Sequence, residues 1–137
     1  MEITVPERTL TQIDYLRITR LLQQQSAHAD AEAMQDLLVA SDLVPSRAVP
    51  ADVVTMYTQV LLQDPGSDAP AYRLTLCYPE HAEPASGFVS VLSPVGSSLL
   101  GLRVGETAHW RLPGGQVRGA RILQVLFQPE ATGDYEA

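Results

Sequence analysis

The stretch Gly96-Ser97-Ser98-Leu99-Leu100-Gly101 places two hydroxyls between glycines, which superficially suggests a nucleophile elbow. That turn needs Gly-x-Ser-x-Gly, because the glycines let the backbone bend sharply enough to expose the serine Oγ. Ser98 is followed by Leu99-Leu100, so the pattern fails, and the serines read as small residues in a capped helical turn. His28, His81 and His109 fall in a helix break, a loop and a strand. A metal site needs three or four ligands brought together, and none of the three has a ligand-spaced partner, so neither a metal nor a cofactor is expected. The carboxylate pair Asp30/Glu32 sits near a helix start, where acids complement the helix dipole, and Asp134/Glu136 sits in the tail. Gly114-Gly115 is not followed by a lysine and a helix, as a phosphate loop requires. Trp110, Phe88, Phe127 and the five tyrosines could line a prolyl-isomerase pocket, but most lie in strand-like runs and read as core. No catalytic residue is assigned, and the chain is not expected to be an enzyme.

Composition narrows the partners. The chain has 137 residues, with 9 basic and 16 acidic side chains and a net charge of −7, so its surface repels a phosphate backbone and direct nucleic-acid binding is not expected. No run has the apolar length of a membrane helix, and the N-terminus "MEITVPERTL" lacks the basic leader and apolar core of a secretory signal. Cys77 is the one cysteine, in the strand-like "RLTLCYP"; it cannot form an internal disulfide and reads as a small buried residue. These features point to the cytoplasm.

The chain changes character near residue 45. Before it, Leu10, Ile13, Leu16, Ile18, Leu21 and Leu22 form a broad apolar stripe behind a capping box at Thr9 and Gln12, predicting a helix from about 9 to 25. A second helix, about 30 to 42, carries Met34, Leu37 and Leu38 on one face and stops at Pro45 and Pro50. After it, strands are predicted from Val53 to Gln63, Tyr72 to Tyr78, Phe88 to Leu92, Thr107 to Leu112 and Val117 to Phe127, with turns at Asp64-Pro65-Gly66 and Pro113-Gly114-Gly115 and a tail from Gln128. "SPVGSSLLG" fits one short helix packed on that sheet: Ser93 caps it, Pro94 takes its first position and Gly101 ends it. The fold class is α+β, an antiparallel helical hairpin over 1–48 followed by an antiparallel sheet domain over 49–137. On residue chemistry alone this is a partner-binding module.

The run "VSVLSPVGSSLLGLRVGETAHWRLPGG" resembles the C-terminal domain of the bacterial Gre transcript-cleavage factors: a Ser-Pro, a leucine-rich small helix ending near glycine, an acidic turn and a Pro-Gly-Gly hairpin. "PADVVTMYTQV" from Pro50 and the terminal "QPEATGDYEA" are similar to a branch of that family called regulators of nucleoside diphosphate kinase. The resemblance covers most of residues 50 to 137; before residue 45 it is one of pattern and length. It implies an FKBP-like domain used for docking rather than isomerisation, and a coiled-coil arm. It further implies binding to RNA polymerase near the secondary channel, where the Ser-Pro loop of Gre factors touches the rim helices. Carried over, Ser93 and Pro94 make the contact, with Leu92 and Val95 flanking it.

The cleavage factors have a much longer arm, whose tip acids help hold a catalytic magnesium ion. Here a helix of about 17 residues spans roughly 25 Å, and the arm-tip candidates Asp30 and Glu32 have a different spacing. A carboxylate that cannot come within about 2.1 Å of the ion cannot ligate it. The expectation is therefore a monomeric polymerase-binding regulator that competes with Gre-type factors without stimulating cleavage. The alternatives are an FKBP-like peptidyl-prolyl isomerase and a direct regulator of nucleoside diphosphate kinase.

Overall fold

The computed structural model describes residues 7–24 and 29–134, and the side chains of all of these except 29–33. Among the described residues no helix is long and apolar enough to cross a membrane. The chain opens with a short strand β1 (Thr9–Thr11), then helices α1 (Gln12–Gln24) and α2 (Ala29–Ala40), then strand β2 (Asp42–Val44). β1 and β2 pair in parallel, Leu10 opposite Leu43. This corrects the helix predicted from 9 and the one predicted to 42, because the outer residues of both form strand pairs. The helix start is set one turn later: the Thr11 hydroxyl accepts from the Asp14 amide at 3.0 Å, which makes Thr11, not Thr9, the cap.

The main sheet contains β3 (Gln59–Gln63), β4 (Tyr72–Cys77), β5 (Phe88–Ser90), β6 (Thr107–Arg111) and β7 (Val117–Phe127), in the order β5-β4-β3-β7-β6. Three pairings are antiparallel, but β4 and β5 run parallel, so the sheet is mixed and the fully antiparallel sheet is corrected. The cause lies in "PEHAEPASG", where two 3-10 turns, Pro79–His81 and Pro84–Ser86, carry the chain back so that Phe88 starts level with Thr75. Gly87 closes this return at φ +83°, a conformation that disfavours a side chain.

Strand alternation separates two faces. Val60, Leu62, Ala108, Ala120 and Ile122 point inward and are buried. They share one apolar cluster with Leu99 and Leu100 near helix α3 (Pro94–Leu99) and with Ile18, Leu22, Met34 and Leu38 of α1 and α2. Only part of the predicted stripe is buried: α1 turns Asp14, Ile18 and Leu22 inward, while Leu16 is exposed. The backbone connection between α1 and α2, 25–28, lies outside the described residues.

Residues 53 to 58 were expected to begin a strand. They form a buried turn segment instead, because side chains from distant segments take up the backbone groups a strand ladder would use. The Met56 amide donates to Asp14 Oδ2 at 3.2 Å, and Gln128 Nε2 donates to the Pro50 and Val53 carbonyls at 2.8 Å each. Thr55 donates its hydroxyl to Glu130 Oε1 at 2.6 Å. The described part of the tail is thus docked through Gln128 and Glu130, both buried. Tyr57 sits at φ +65°, costly for an aromatic residue. Its amide bonds the Leu76 carbonyl at 2.6 Å, its hydroxyl shares a 2.7 Å bond with His81 Nδ1, and its ring meets Tyr78 edge-on at 5.8 Å.

Asp14 joins helix to sheet from inside. Burial, reinforced by the charge of Glu130, pushes its carboxyl up from 3.8 to about 6 although the Met56 amide holds the charged form. Between about pH 4 and 6 the folded chain keeps a proton that the unfolded chain has lost, so this group's contribution to stability rises as pH falls through that window and is lost above it. Asp14→Asn retains an acceptor for Met56 without the charge. It should raise the thermal midpoint at pH 7.5, by a stability gain of up to about 3 kcal/mol, and flatten the dependence of the midpoint between pH 4 and 6. A midpoint that falls at pH 7.5 contradicts this account.

Candidate functional site

The site is built where β5 turns into α3. The Ser93 hydroxyl donates to the Ser90 carbonyl at 2.6 Å and accepts from the Gly96 amide at 3.1 Å, so one side chain caps the helix and ties it to the strand. Ser90 Oγ accepts from the Leu92 amide at 3.1 Å, tightening the same turn. Pro94 follows at the first helical position, where its fixed φ is already helical and its missing N–H leaves no donor unpaired. The ring is exposed. Leu92, Ser93 and Val95 beside it are half-buried, with Leu92 and Val95 packed against the core. The four residues singled out from sequence are therefore contiguous in space, and one of them projects.

Gly96 explains how α3 can lie so close to β5. A Cβ there would stand 1.9 Å from the Ser90 carbonyl oxygen, so only glycine fits. The far end of α3 is held by Arg8, whose Nη1 donates to the carbonyls of Ser97, Ser98 and Leu100 at 3.1, 3.2 and 2.8 Å. A cation at a helix C-terminus meets the negative end of the dipole and pairs carbonyls that have no helical partner. Burial pulls the Arg8 guanidinium below its ordinary range, opposed by the charge of Glu106. Gly101, at φ +80°, turns the chain out of the helix, and its carbonyl accepts from the Thr9 amide at 3.1 Å.

Beside Pro94 runs a groove of about 350 Å³ bounded by Leu92, Ser97, Trp110, Arg8 and Arg111, with Leu37 of α2 at its edge. Ser98 and His109 also line it, so apolar and polar groups are mixed along its walls. Trp110, expected in the core, packs against the core and also lines this groove.

The hydroxyls considered for catalysis are committed to structure. Ser98 donates to the Val95 carbonyl at 2.6 Å and Ser97 to the Pro94 carbonyl at 3.1 Å. Cys77 is buried, bonds the Val89 carbonyl at 3.4 Å, and has its thiol pushed up by burial, which disfavours the reactive thiolate. No group of three metal-ligating side chains occurs among the described residues. Asp30 and Glu32 fall in the first turn of α2, with side chains outside the described residues; His28 and Glu136 lie outside them entirely. Sequence reading missed Arg8, which lies 85 residues before Ser93 and bears no local mark of its role. The requirement at Gly96 had a signal, since glycine within a helical pattern often marks a close backbone approach.

The family model "Transcription elongation factor, GreA/GreB, C-term" matches residues 49–127. The "Regulator of nucleoside diphosphate kinase" of Escherichia coli K12 is 38% identical over 133 residues, covering 95% of this chain and 96% of that protein. The GreA of Chloroherpeton thalassium is 30% identical over 96 residues, covering 70% of this chain and 60% of that one. Among solved structures, a GreA/GreB elongation factor from Nitrosomonas europaea superposes with a TM-score of 0.75 at 32% identity, covering 90% of this chain and all of that one.

Because the Ser90 carbonyl cannot give way without breaking the β5 turn, Gly96→Ala should cost roughly 3 kcal/mol or more, at the upper end of overpacking penalties. Denaturant unfolding measures the loss. A cost under about 0.5 kcal/mol, the scale of ordinary surface substitutions, would show that α3 can shift freely.

Proposed function

The chain belongs to the GreA/GreB family, and from that premise we propose that it is a transcription regulator that docks on RNA polymerase near the secondary channel. It acts as a monomer. Its sheet segment, 49–137, serves as an FKBP-like docking scaffold, and residues 1–48 form a short coiled-coil arm. The observation that carries this reading is the exposed Pro94 on a turn locked by Ser93 and Gly96, inside the segment matched by the family model. A rigid apolar projection loses little freedom on binding, so more of its contact energy appears as affinity. Leu92 and Val95 support the knob from below, and the groove beside it receives the flank of the partner.

The reading includes the absence of transcript-cleavage stimulation. α1 has 13 residues, a span of roughly 20 Å. The aligned region spans 60% of the Chloroherpeton GreA, so that protein has much additional chain. An arm of this length leaves Asp30 and Glu32 short of a metal in the polymerase centre. The protein then occupies the Gre site and excludes the cleavage factors. A direct action on nucleoside diphosphate kinase is the second reading, favoured by the printed name of the Escherichia coli relative. Co-purification of the kinase at defined stoichiometry supports it; copurification of polymerase alone supports the first.

Two measurements test the proposal. Core polymerase should be recovered by the wild type and reduced at least about tenfold with Pro94→Arg, an affinity loss of about 1.4 kcal/mol or more. Equal recovery removes Pro94 from the contact. In stalled elongation complexes the protein should leave RNA cleavage at its intrinsic rate and slow the cleavage produced by an added Gre factor; any stimulation of its own rejects the non-cleaving assignment.

A further inference from the structure

The main sheet has an outer face that meets the Pro94 groove only at His109 and Arg111. Strand pairing sets Phe88, Thr75, Gln59 and Phe127 in one row across β5, β4, β3 and β7. The next row joins Arg73, Leu61 and Gln124, and further rows add Arg121 beside Thr107 and Arg111 beside Val117. Its margins are open, with Phe88, Phe127 and Val117 37%, 46% and 60% exposed, while Gln59 and Leu61 between them are half-buried and Thr75 is buried. α3 lies on the other side, sharing a buried cluster with the inward residues Ala108 and Ala120.

Its charge opposes that of the rest of the chain. The chain carries 16 acidic residues, yet none of the five strands contains Asp or Glu, while they contain Arg73, Arg111, Arg118 and Arg121. Arg73, Arg111 and Arg121 are exposed on the outer face, and among the described residues none of them makes an ion pair. His109 lies on the same face across Gly119, where a Cβ would come within 3.3 Å of its ring.

We propose that this outer face, bracketed by Phe88 and Phe127 and charged by Arg73, Arg111 and Arg121, is a second docking surface whose occupant is an acidic amphipathic helix of another protein. An open sheet face is commonly completed by a helix laid across it. Phe88 and Phe127 stand three strand spacings apart, about 14 Å, which admits a helix about 10–12 Å across. Leu61, between them, meets the apolar stripe of that helix. The guanidinium groups, planar and weakly hydrated, pair with carboxylates along its flanks. A second copy is disfavoured, because a symmetric sheet-to-sheet contact sets like charges against each other. A nucleic-acid strand is disfavoured because its backbone continues past the sheet toward a surface that carries the chain's net charge of −7. The two surfaces meet at His109 and Arg111, which also border the Pro94 groove, whereas Phe88, Leu61, Phe127, Arg73 and Arg121 do not line it.

The test uses the whole chain and a labelled synthetic helix of about 18 residues, five turns long, with Leu on one face and Glu on the other. The controls are the same peptide with Lys for Glu and a short single-stranded RNA. The acidic peptide should bind saturably and at least about tenfold more tightly than the lysine peptide, a difference of about 1.4 kcal/mol, and the binding should weaken with salt. Amide shifts should map to Phe88, Leu61 and Phe127. Arg73→Glu combined with Arg121→Glu should weaken binding at least about tenfold. Phe127→Ser, a single change at an exposed position, gives a second reading, with both variants checked for an unchanged thermal midpoint. The proposal is overturned by equal binding of the two peptides, by tighter binding of RNA, by shifts confined to other elements, by unchanged affinity in both variants, or by self-association through this face.

Discussion

The approach of α3 to the end of β5 is the constraint on which the candidate site depends. A hydrogen in place of a side chain at position 96 lets the Ser90 carbonyl come in so close that Ser93 can serve both elements at once. Once that turn is closed, Pro94 can only face outward, and Leu99 and Leu100 fall onto the sheet beside Ala108. The end of α3 then lies where Arg8 can gather its carbonyls, which holds Arg8 and the adjoining β1 beside it. One backbone contact thus orients the exposed proline and also anchors the helical segment that precedes the sheet.

Polar groups inside the molecule reinforce this arrangement by being specific rather than strong. Asp14 and Glu130 come from opposite ends of the chain and are both buried near Thr55 and Met56. Two carboxylates in an apolar interior are tolerated only where donors are supplied, and here a threonine hydroxyl and a main-chain amide supply them. Mispositioned packing would strand them without partners, so they select one docking of the helices on the sheet. The serines of α3 follow the same logic: their hydroxyls return to the helix backbone, which leaves the surface around Pro94 apolar.

Elements whose signals are local could be read from sequence. The serine cap, N1 proline and terminal glycine of α3 lie within nine residues, and β7 runs over the same span that its alternation predicts, Val117 to Phe127. The Pro113-Gly114-Gly115 turn also closes as its residues require, the Gly115 amide bonding the Leu112 carbonyl at 2.9 Å. Where reading went astray, the deciding partner was far away in the chain. β-Branched residues at 53 to 58 announced a strand, but Asp14, Gln128 and Glu130 hold them in turns. Thr9 to Thr11 looked helical until their pairing with Asp42 to Val44 was seen. At the site, Pro94 and its neighbours were legible because they are one motif; Arg8 and Trp110 were not, because only the fold brings them there.

The last strand of the chain, β7, lies between β3 and β6, with Gln128 just beyond it tied to the Pro50 and Val53 carbonyls. An interior strand of the sheet is therefore the last of the five in sequence. Until β7 is paired, β3 and β6 have no common neighbour and cannot join one sheet. Completion of the sheet therefore waits on contacts between residues far apart in sequence, the slowest kind for a chain to find.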